Sequence, residues 1–206
     1  MNFEVLVKSI AEIHQQTHAA AGKAVNISLT CRNWLIGAYV HEYELHGQDR
    51  AEYGNKLFTR LAVSLTKYGI PNCNKSRLYR YRDFYRLYPH IVATLPPQFQ
   101  NFLEIQVADS KVATLSPLLH EEGVVPAQLF AGRPIIEQLS YSHIELLIEI
   151  DDPLKRSFYE MECIRGNWSV RELKRQIGSL YFERSGLSRN KEKLSEMANA
   201  AAQIAE

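Results

Sequence analysis

Five cations, Lys75, Arg77, Arg80, Arg82 and Arg86, fall between residues 75 and 86 and are interleaved with Tyr79, Tyr81, Phe84, Tyr85 and Tyr88. At 100° per residue, Leu78, Tyr81, Phe84, Tyr85 and Tyr88 share one stripe wide enough to dock on a core. Lys75, Tyr79, Arg82 and Arg86 line a neighbouring face at spacings of four, three and four, with Arg77 near the apolar edge and Arg80 projecting elsewhere. A helix anchored on one side and basic on another suits the major groove. Guanidinium groups fork onto guanine edges or phosphates, and a tyrosine hydroxyl reaches phosphate. A solvated basic face has the same pattern. Arg171, Lys174 and Arg175 form a smaller basic cluster that could reach phosphates or simply face solvent.

Other chemistry-bearing patterns are incomplete. His14 and His18 sit at i, i+4, but no nearby Cys, Asp or Glu completes a metal site, and HExxH is absent. No GxSxG, Walker loop or dinucleotide fingerprint occurs. Two acid-x-Lys triplets, Asp109-Ser110-Lys111 and Glu172-Leu173-Lys174, are the kind used by some metal-dependent nucleases. The first lacks an upstream metal-binding Asp on a neighbouring strand, and the second lies in a helix where Glu172 has a capping role. Trp34 and Trp168 read as packing residues, and His143 as a hydrogen-bonded structural residue. The residues therefore announce no catalytic centre, no metal and no cofactor.

The elements that must position the basic cluster are helical. Phe3, Leu6, Val7, Ile10 and Ile13 recur at helical spacing in a first helix. A second is expected from about Lys23 to Leu45, stopped by Gly47, and a third from about Arg50 to Tyr68, ended by Gly69-Ile70-Pro71. After a short polar link, a fourth runs from Lys75 to Tyr88 and stops at Pro89. Residues 56–88 thus have the layout of a helix-turn-helix. The stretch 95–135 differs, carrying Pro96, Pro97, Pro117, Pro126 and Pro134 without sustained helical periodicity. It allows a short β-hairpin or wing, with strands at Phe102–Val107 and around Leu129–Phe130, or a plain connector.

Helical signals then return. Ser142 and Glu145 suggest a capping box opening a helix through Ile150. Asp152-Pro153 opens another that ends at Gly166, and Ser169 with Glu172 opens one through residue 185. A last helix is expected from Ser188. The fold class is mainly α, in three parts: an N-terminal helical half (1–94), a proline-rich connector (95–139) and a C-terminal helical half (140–206), together one composite domain.

Length and charge set the partners to be considered. The chain has 206 residues, 46% hydrophobic and 23% charged, with net charge +1, an ordinary globular composition. The charge is segregated, however. Residues 56–90 carry +7 and residues 91–162 carry −7. The basic block is a local footprint that nucleic acid or another acidic partner would read. The two blocks could equally meet within one chain or between two copies. Cys31, Cys73 and Cys163 show no pairing signature and read as free thiols, and the N-terminus is not a signal peptide. No apolar run suits a membrane span, so a cytoplasmic protein with no membrane contact is expected.

Ordered segments then become familiar: KAVNISLTCRNWLIGAYV, Glu52-Tyr53-Gly54, SRLYRYRDFYRLYP, LSYSHIELL, DDPLKRSFYEMECI and NWSVRELKRQIGSLYFER. Together they resemble the N-terminal domain of the YhcG family of bacterial proteins, whose members join it to a C-terminal PD-(D/E)XK nuclease domain. Tyr141 stands where that pattern has tryptophan, and the nuclease half has no counterpart here. The resemblance implies a helical DNA-binding domain, itself no enzyme, that positions duplex DNA for a separate nuclease domain. Its candidate contacts are Lys75, Arg77, Tyr79, Arg80, Arg82, Arg86, Arg171, Lys174 and Arg175. The alternative is a protein-interaction or homodimerisation module using the complementary basic and acidic segments.

Overall fold

The computed structural model describes residues 2–47, 56–103 and 135–185. Its longest element, α1, runs unbroken from Phe3 to His46, where two helices were expected. Nothing between them can stop a helix. Ala19, Ala20, Ala21 and Ala24 are the best helix formers, and a single Gly22 costs only about 1 kcal/mol. The Thr17 hydroxyl donates to the Ile13 carbonyl at 2.8 Å instead of competing with the backbone. Asn2 caps the start by accepting from the Val5 N–H at 2.9 Å, and the Gly47 N–H closes the end on the Tyr43 carbonyl.

Among the described residues, α1 meets the rest of the fold only from Asn26 onward. Its buried face is Thr30, Cys31, Asn33, Trp34, Leu35, Gly37, Ala38 and Val40. Across that face lies α3 (Lys75–Leu87), which follows α2 (Leu57–Lys67). The two helices approach so closely that a Cβ on Gly37 would sit 1.9 Å from the Tyr81 carbonyl oxygen. The Trp34 indole N–H donates to the Tyr88 carbonyl at 3.0 Å. Between α2 and α3 the chain turns through Gly69 and Asn72, both at positive φ (71° and 61°). Arg32 on α1 holds that turn through a 3.0 Å bond to the Pro71 carbonyl. Asn74 caps α3 by accepting from the Arg77 N–H.

A 3-10 stretch, Pro89–Thr94, carries Ile91 into the core, and a single turn, α4 (Pro97–Gln100), follows. Phe102, expected to open a strand, lies instead in a 3-10 turn spanning Asn101–Leu103. Pro97 starts the helical turn before it, and the Phe99 N–H folds back onto the Pro96 carbonyl at 2.8 Å. The rest of that strand and the one around Leu129–Phe130 lie outside the described residues. Among the described residues there is no strand, and the fold is all α.

Ile135, Ile136 and Leu139 bring the chain back into the core ahead of α5 (Tyr141–Leu147). This helix is capped two residues earlier than the sequence suggested. Ser140, not Ser142, is the N-cap, and its backbone N–H donates to His143 Nδ1 at 3.1 Å. The His143 Nε2–H is then free to donate to the Trp168 carbonyl at 3.0 Å, and burial holds the imidazole below its ordinary pKa. Asp152 caps α6 (Pro153–Gly166) as expected, and Asn167 ends it in the left-handed region. Ser169 accepts from the Glu172 N–H to open α7 (Val170–Gly178). The Glu172 carboxylate turns to Arg175 and Gln176, so only half of the expected box forms.

The helix expected through residue 185 breaks at Leu180 (φ 55°) and resumes as α8 (Tyr181–Arg184). Tyr159 makes the break. Its hydroxyl donates to the Gln176 carbonyl at 3.2 Å and accepts from the Phe182 N–H at 3.3 Å, which seats Phe182 in the core. The helix expected from Ser188 lies outside the described residues. One hydrophobic core, rich in Trp34, Tyr81, Phe84, Tyr88, Phe158 and Tyr159, runs through α1, α3, α5, α6 and α7.

Candidate nucleic-acid interface

Leu78, Tyr81, Phe84, Tyr85 and Tyr88 are buried, as the stripe on α3 requires. The basic face beside it is largely engaged. Arg77 Nη1 lies 3.1 Å from Glu145 Oε1, and Arg80 reaches Glu149 at 3.0 Å and Glu145 at 3.5 Å. The Arg77 and Arg80 side chains remain 36% and 41% exposed, so both pairs sit at the surface edge of the α3–α5 contact. Arg82 is held by Asp83 at 2.9 Å and Glu44 at 3.3 Å. Burial works against its charge, but these carboxylates raise its pKa above the ordinary value. Its guanidinium also lies over the rings of Phe58 and Tyr79, which stack on each other at 3.8 Å.

Tyr79 and Arg82 therefore face α2, not solvent, and α3 is packed by α1, α2 and α5. Lys75 and Arg86 stay exposed. Part of the segregated charge of the sequence is thus neutralised inside one chain, through Glu145 and Glu149 of the acidic block.

The second cluster is arranged differently. On α7, Leu173 is buried while Arg171, Lys174 and Arg175 are exposed, the Arg175 side chain by 72%. Arg175 is steadied by Glu172 at 2.6 Å, and that contact lowers the Glu172 pKa. A short helix anchored by Leu173 and half-buried Ile177 thus carries three cations outward within two turns. The sequence pattern weighted α3 above α7; in the structure the three α7 cations are exposed, whereas Arg77, Arg80 and Arg82 of α3 are half-buried.

Sequence reasoning missed one feature. A cleft of about 200 Å³ is lined by Asn26, Arg32, Asn33, Asn72, Arg77 and Ser142, with Tyr81 and Tyr141 among its walls. Its donors come from α1, the α2–α3 turn, α3 and the start of α5, segments whose proximity no local pattern encodes. The Tyr141 hydroxyl is buried without a hydrogen-bond partner among the described residues. Guanidinium, amide and hydroxyl donors in one opening are the groups that hold an anion.

The remaining candidates stay apart. His14 and His18 have ring centroids 6.1 Å apart on an exposed part of α1, and no group of three His, Cys, Asp or Glu side chains gathers among the described residues. Asp109 and Lys111 lie outside the described residues, and Glu172 is engaged as above. Cys31, Cys73 and Cys163 are buried and unpaired. Among the described residues no helix is long and apolar enough to cross a membrane.

The family described as DUF1016 N-terminal domain matches residues 9–113 and 127–184. A relative from Escherichia coli (strain K12), named "Putative nuclease YhcG", is 29% identical over 176 residues. That alignment covers 82% of this chain and 43% of the relative, so the chain spans under half of the relative's length. No solved structure matches the chain.

Proposed function

The chain belongs to the DUF1016 N-terminal domain family, and from that membership we propose that it is the DNA-holding part of a modular nuclease. In this reading it binds duplex DNA in the cytoplasm and positions it for a C-terminal nuclease domain that carries the catalytic centre. The observation that carries the reading is the outward basic face of α7, where Arg171, Lys174 and Arg175 meet solvent above a buried Leu173. Lys75 and Arg86 add exposed charge from α3. The cleft beside Arg32 and Arg77 offers a further seat for a phosphate. Tyr79 and Arg82 support the contact from behind, by fixing α3 on α2. Contacts of this kind hold the sugar-phosphate backbone, so they favour affinity over sequence selectivity.

The test is duplex binding by fluorescence anisotropy across a salt series. Each phosphate contact adds about 0.9 to the slope of log K against log salt. Arg171→Ala/Lys174→Ala/Arg175→Ala is expected to reduce that slope by about 2–3 and Lys75→Ala/Arg86→Ala by about 1–2. Arg82→Ala should lower thermal stability more than it changes the slope. Wild-type protein that fails to bind duplex even at low salt overturns the reading.

A further inference from the structure

The apolar seam of α1 continues well beyond the body that buries it. Phe3, Leu6, Ile10, Ile13, Thr17, Ala20, Ala24, Ile27, Cys31, Trp34 and Ala38 follow one another at alternating spacings of three and four. This is a coiled-coil repeat. Its distal part is covered from within the chain: Cys31, Trp34 and Ala38 are fully buried, and Ile27 packs against the core. Among the described residues its first part is bare: Phe3 is 78% exposed, Ile10 58% and Ile13 61%, and the arm 3–25 makes no contact with the described core. A helical arm of this length, about 35 Å, has no packing of its own to sustain it in water.

The order of side-chain sizes identifies what covers it. The large residues, Phe3, Leu6, Ile10 and Ile13, all lie in the first half of the arm, and the small ones, Thr17, Ala20 and Ala24, in the second. Two arms laid antiparallel so that paired positions sum to 30 place Leu6 on Ala24, Ile10 on Ala20 and Ile13 on Thr17. Each layer then holds one large and one small side chain, with Phe3 closing each end on Ile27. A parallel pair stacks large on large at one end and leaves gaps at the other. Facing layers of alternating size are what close helix packing needs.

Charge agrees with a like partner. The arm carries Glu4, Lys8, Glu12 and Lys23, a neutral set. Of these, only Lys23 flanks the seam, and its position faces uncharged Ser9 of the other copy. The Thr17 hydroxyl is already satisfied by Ile13, so burying it orphans no donor. An arm with no net charge and only two separated lysines offers nucleic acid no basic patch. The covered area, roughly 600–800 Å² per copy, approaches what a specific interface uses.

We infer that the α1 arm pairs antiparallel with the arm of a second copy of this chain, making a two-fold homodimer with its bodies at opposite ends. The inference is independent of the DNA reading. The partner's Phe3 reaches the Ile27 layer, where the chain's own body takes over the same seam. Over a seven-residue repeat the pair wraps left-handed, which corrects the roughly 20° drift per heptad of a straight helix.

Light scattering on the whole 206-residue chain is the first measurement, with a mass of twice 23.7 kDa expected. Ile10→Glu/Ile13→Glu should give the monomer mass with helical circular dichroism retained, because both positions are solvent-exposed in the single chain. Orientation is read by oxidative cross-linking. Gln16→Cys sits beside its own copy across the two-fold axis and should cross-link, whereas Ile10→Cys faces Ala20 and should not. A wild-type monomer at about 100 µM, a dimer that survives the double glutamate, or Ile10→Cys cross-linking in preference to Gln16→Cys each overturns the inference. The first outcome would leave another part of this chain, or a different protein, as the cover.

Discussion

Gly37→Ala is the substitution through which the central helix crossing can be tested. In an exposed helix the change stabilises by about 1 kcal/mol, because alanine orders the backbone at lower entropic cost. At Gly37 the added methyl would lie 1.9 Å from the Tyr81 carbonyl oxygen and 2.5 Å from its carbon. These are backbone atoms of α3 and cannot rotate away, so α1 and α3 must separate by about 1 Å. A gap of that size forfeits roughly a quarter to a half of the dispersion energy of the contacts it opens. Those contacts include fully buried Trp34 and its edge-on packing with Tyr85 at 5.1 Å.

Overpacking of this kind costs about 1–3 kcal/mol, occasionally more. A backbone-to-backbone clash belongs at the upper end, so the net expectation after the helix-propensity gain is about 2 kcal/mol of destabilisation. For a chain of this size that lowers Tm by about 4–8 °C. Gly22→Ala is the internal control: the same change in the same helix, with nothing within 4 Å of the new methyl. It should be neutral or stabilising by up to about 1 kcal/mol. Thermal and urea unfolding followed by circular dichroism reads both variants. A Gly37→Ala protein as stable as wild type, with Gly22→Ala also neutral, would refute the close crossing.

The Glu160 carboxyl is pushed up to about 7 by burial, against the opposing pull of the Tyr88 hydroxyl and Arg156. The native state therefore keeps a proton that the unfolded chain gives up near its ordinary value. That stabilisation is complete below about 4.5 and is lost as pH rises through about 7. Glu160→Gln should flatten this part of the curve, read as a smaller change in urea midpoint between pH 5 and pH 8. Ser140→Ala removes the hydroxyl at the α5 N-cap and should cost about 1 kcal/mol, seen as a lower urea midpoint with unchanged slope. Glu145→Gln releases Arg77 and Arg80 from a shared carboxylate and should tighten duplex binding roughly two- to five-fold at low salt, the scale of one surface ion pair; unchanged affinity in the anisotropy titration would count against a contact there.

The elements were readable wherever a local rule governs them. Asp152 before Pro153, Gly166 at the end of α6 and the apolar stripe of α3 each follow from a few neighbouring residues, and the structure has all three. Two readings failed where a distant residue decided the outcome, and a third failed on local grounds. The cap of α5 moved to Ser140 because the His143 ring is fixed from the far side by the Trp168 carbonyl. The helix after Ser169 broke at Leu180 because Tyr159 claims both the Gln176 carbonyl and the Phe182 N–H. The first two helices fused because the alanines and Thr17 between them form helix without tertiary help. The cleft stayed invisible for a related reason, since Asn26, Asn72 and Ser142 are brought together only by the fold.

The basic block shows why charge in a sequence is a weaker guide than charge on a surface. Eight of its residues are Lys or Arg, yet Arg77, Arg80 and Arg82 each have a carboxylate within 3.3 Å. A phosphate approaching Arg77 or Arg80 must displace Glu145 or Glu149 or accept their repulsion. An exposed pair is worth about 1 kcal/mol or less, so displacement is affordable for a surface guanidinium. It is not so for Arg82, whose two carboxylates and two aromatic rings would all be lost together. Among the described residues, only Arg175 on α7 has such a tie, to a carboxylate one turn away, while Arg171 and Lys174 require no exchange. If this chain holds DNA, binding energy should therefore concentrate on α7, with α3 contributing through Lys75, Arg86 and, at a discount, Arg77 and Arg80. A slope change larger for the α3 variants than for the α7 triple would mean that the duplex breaks the α3–α5 pairs on binding, and that the charge segregated in the sequence acts as a latch.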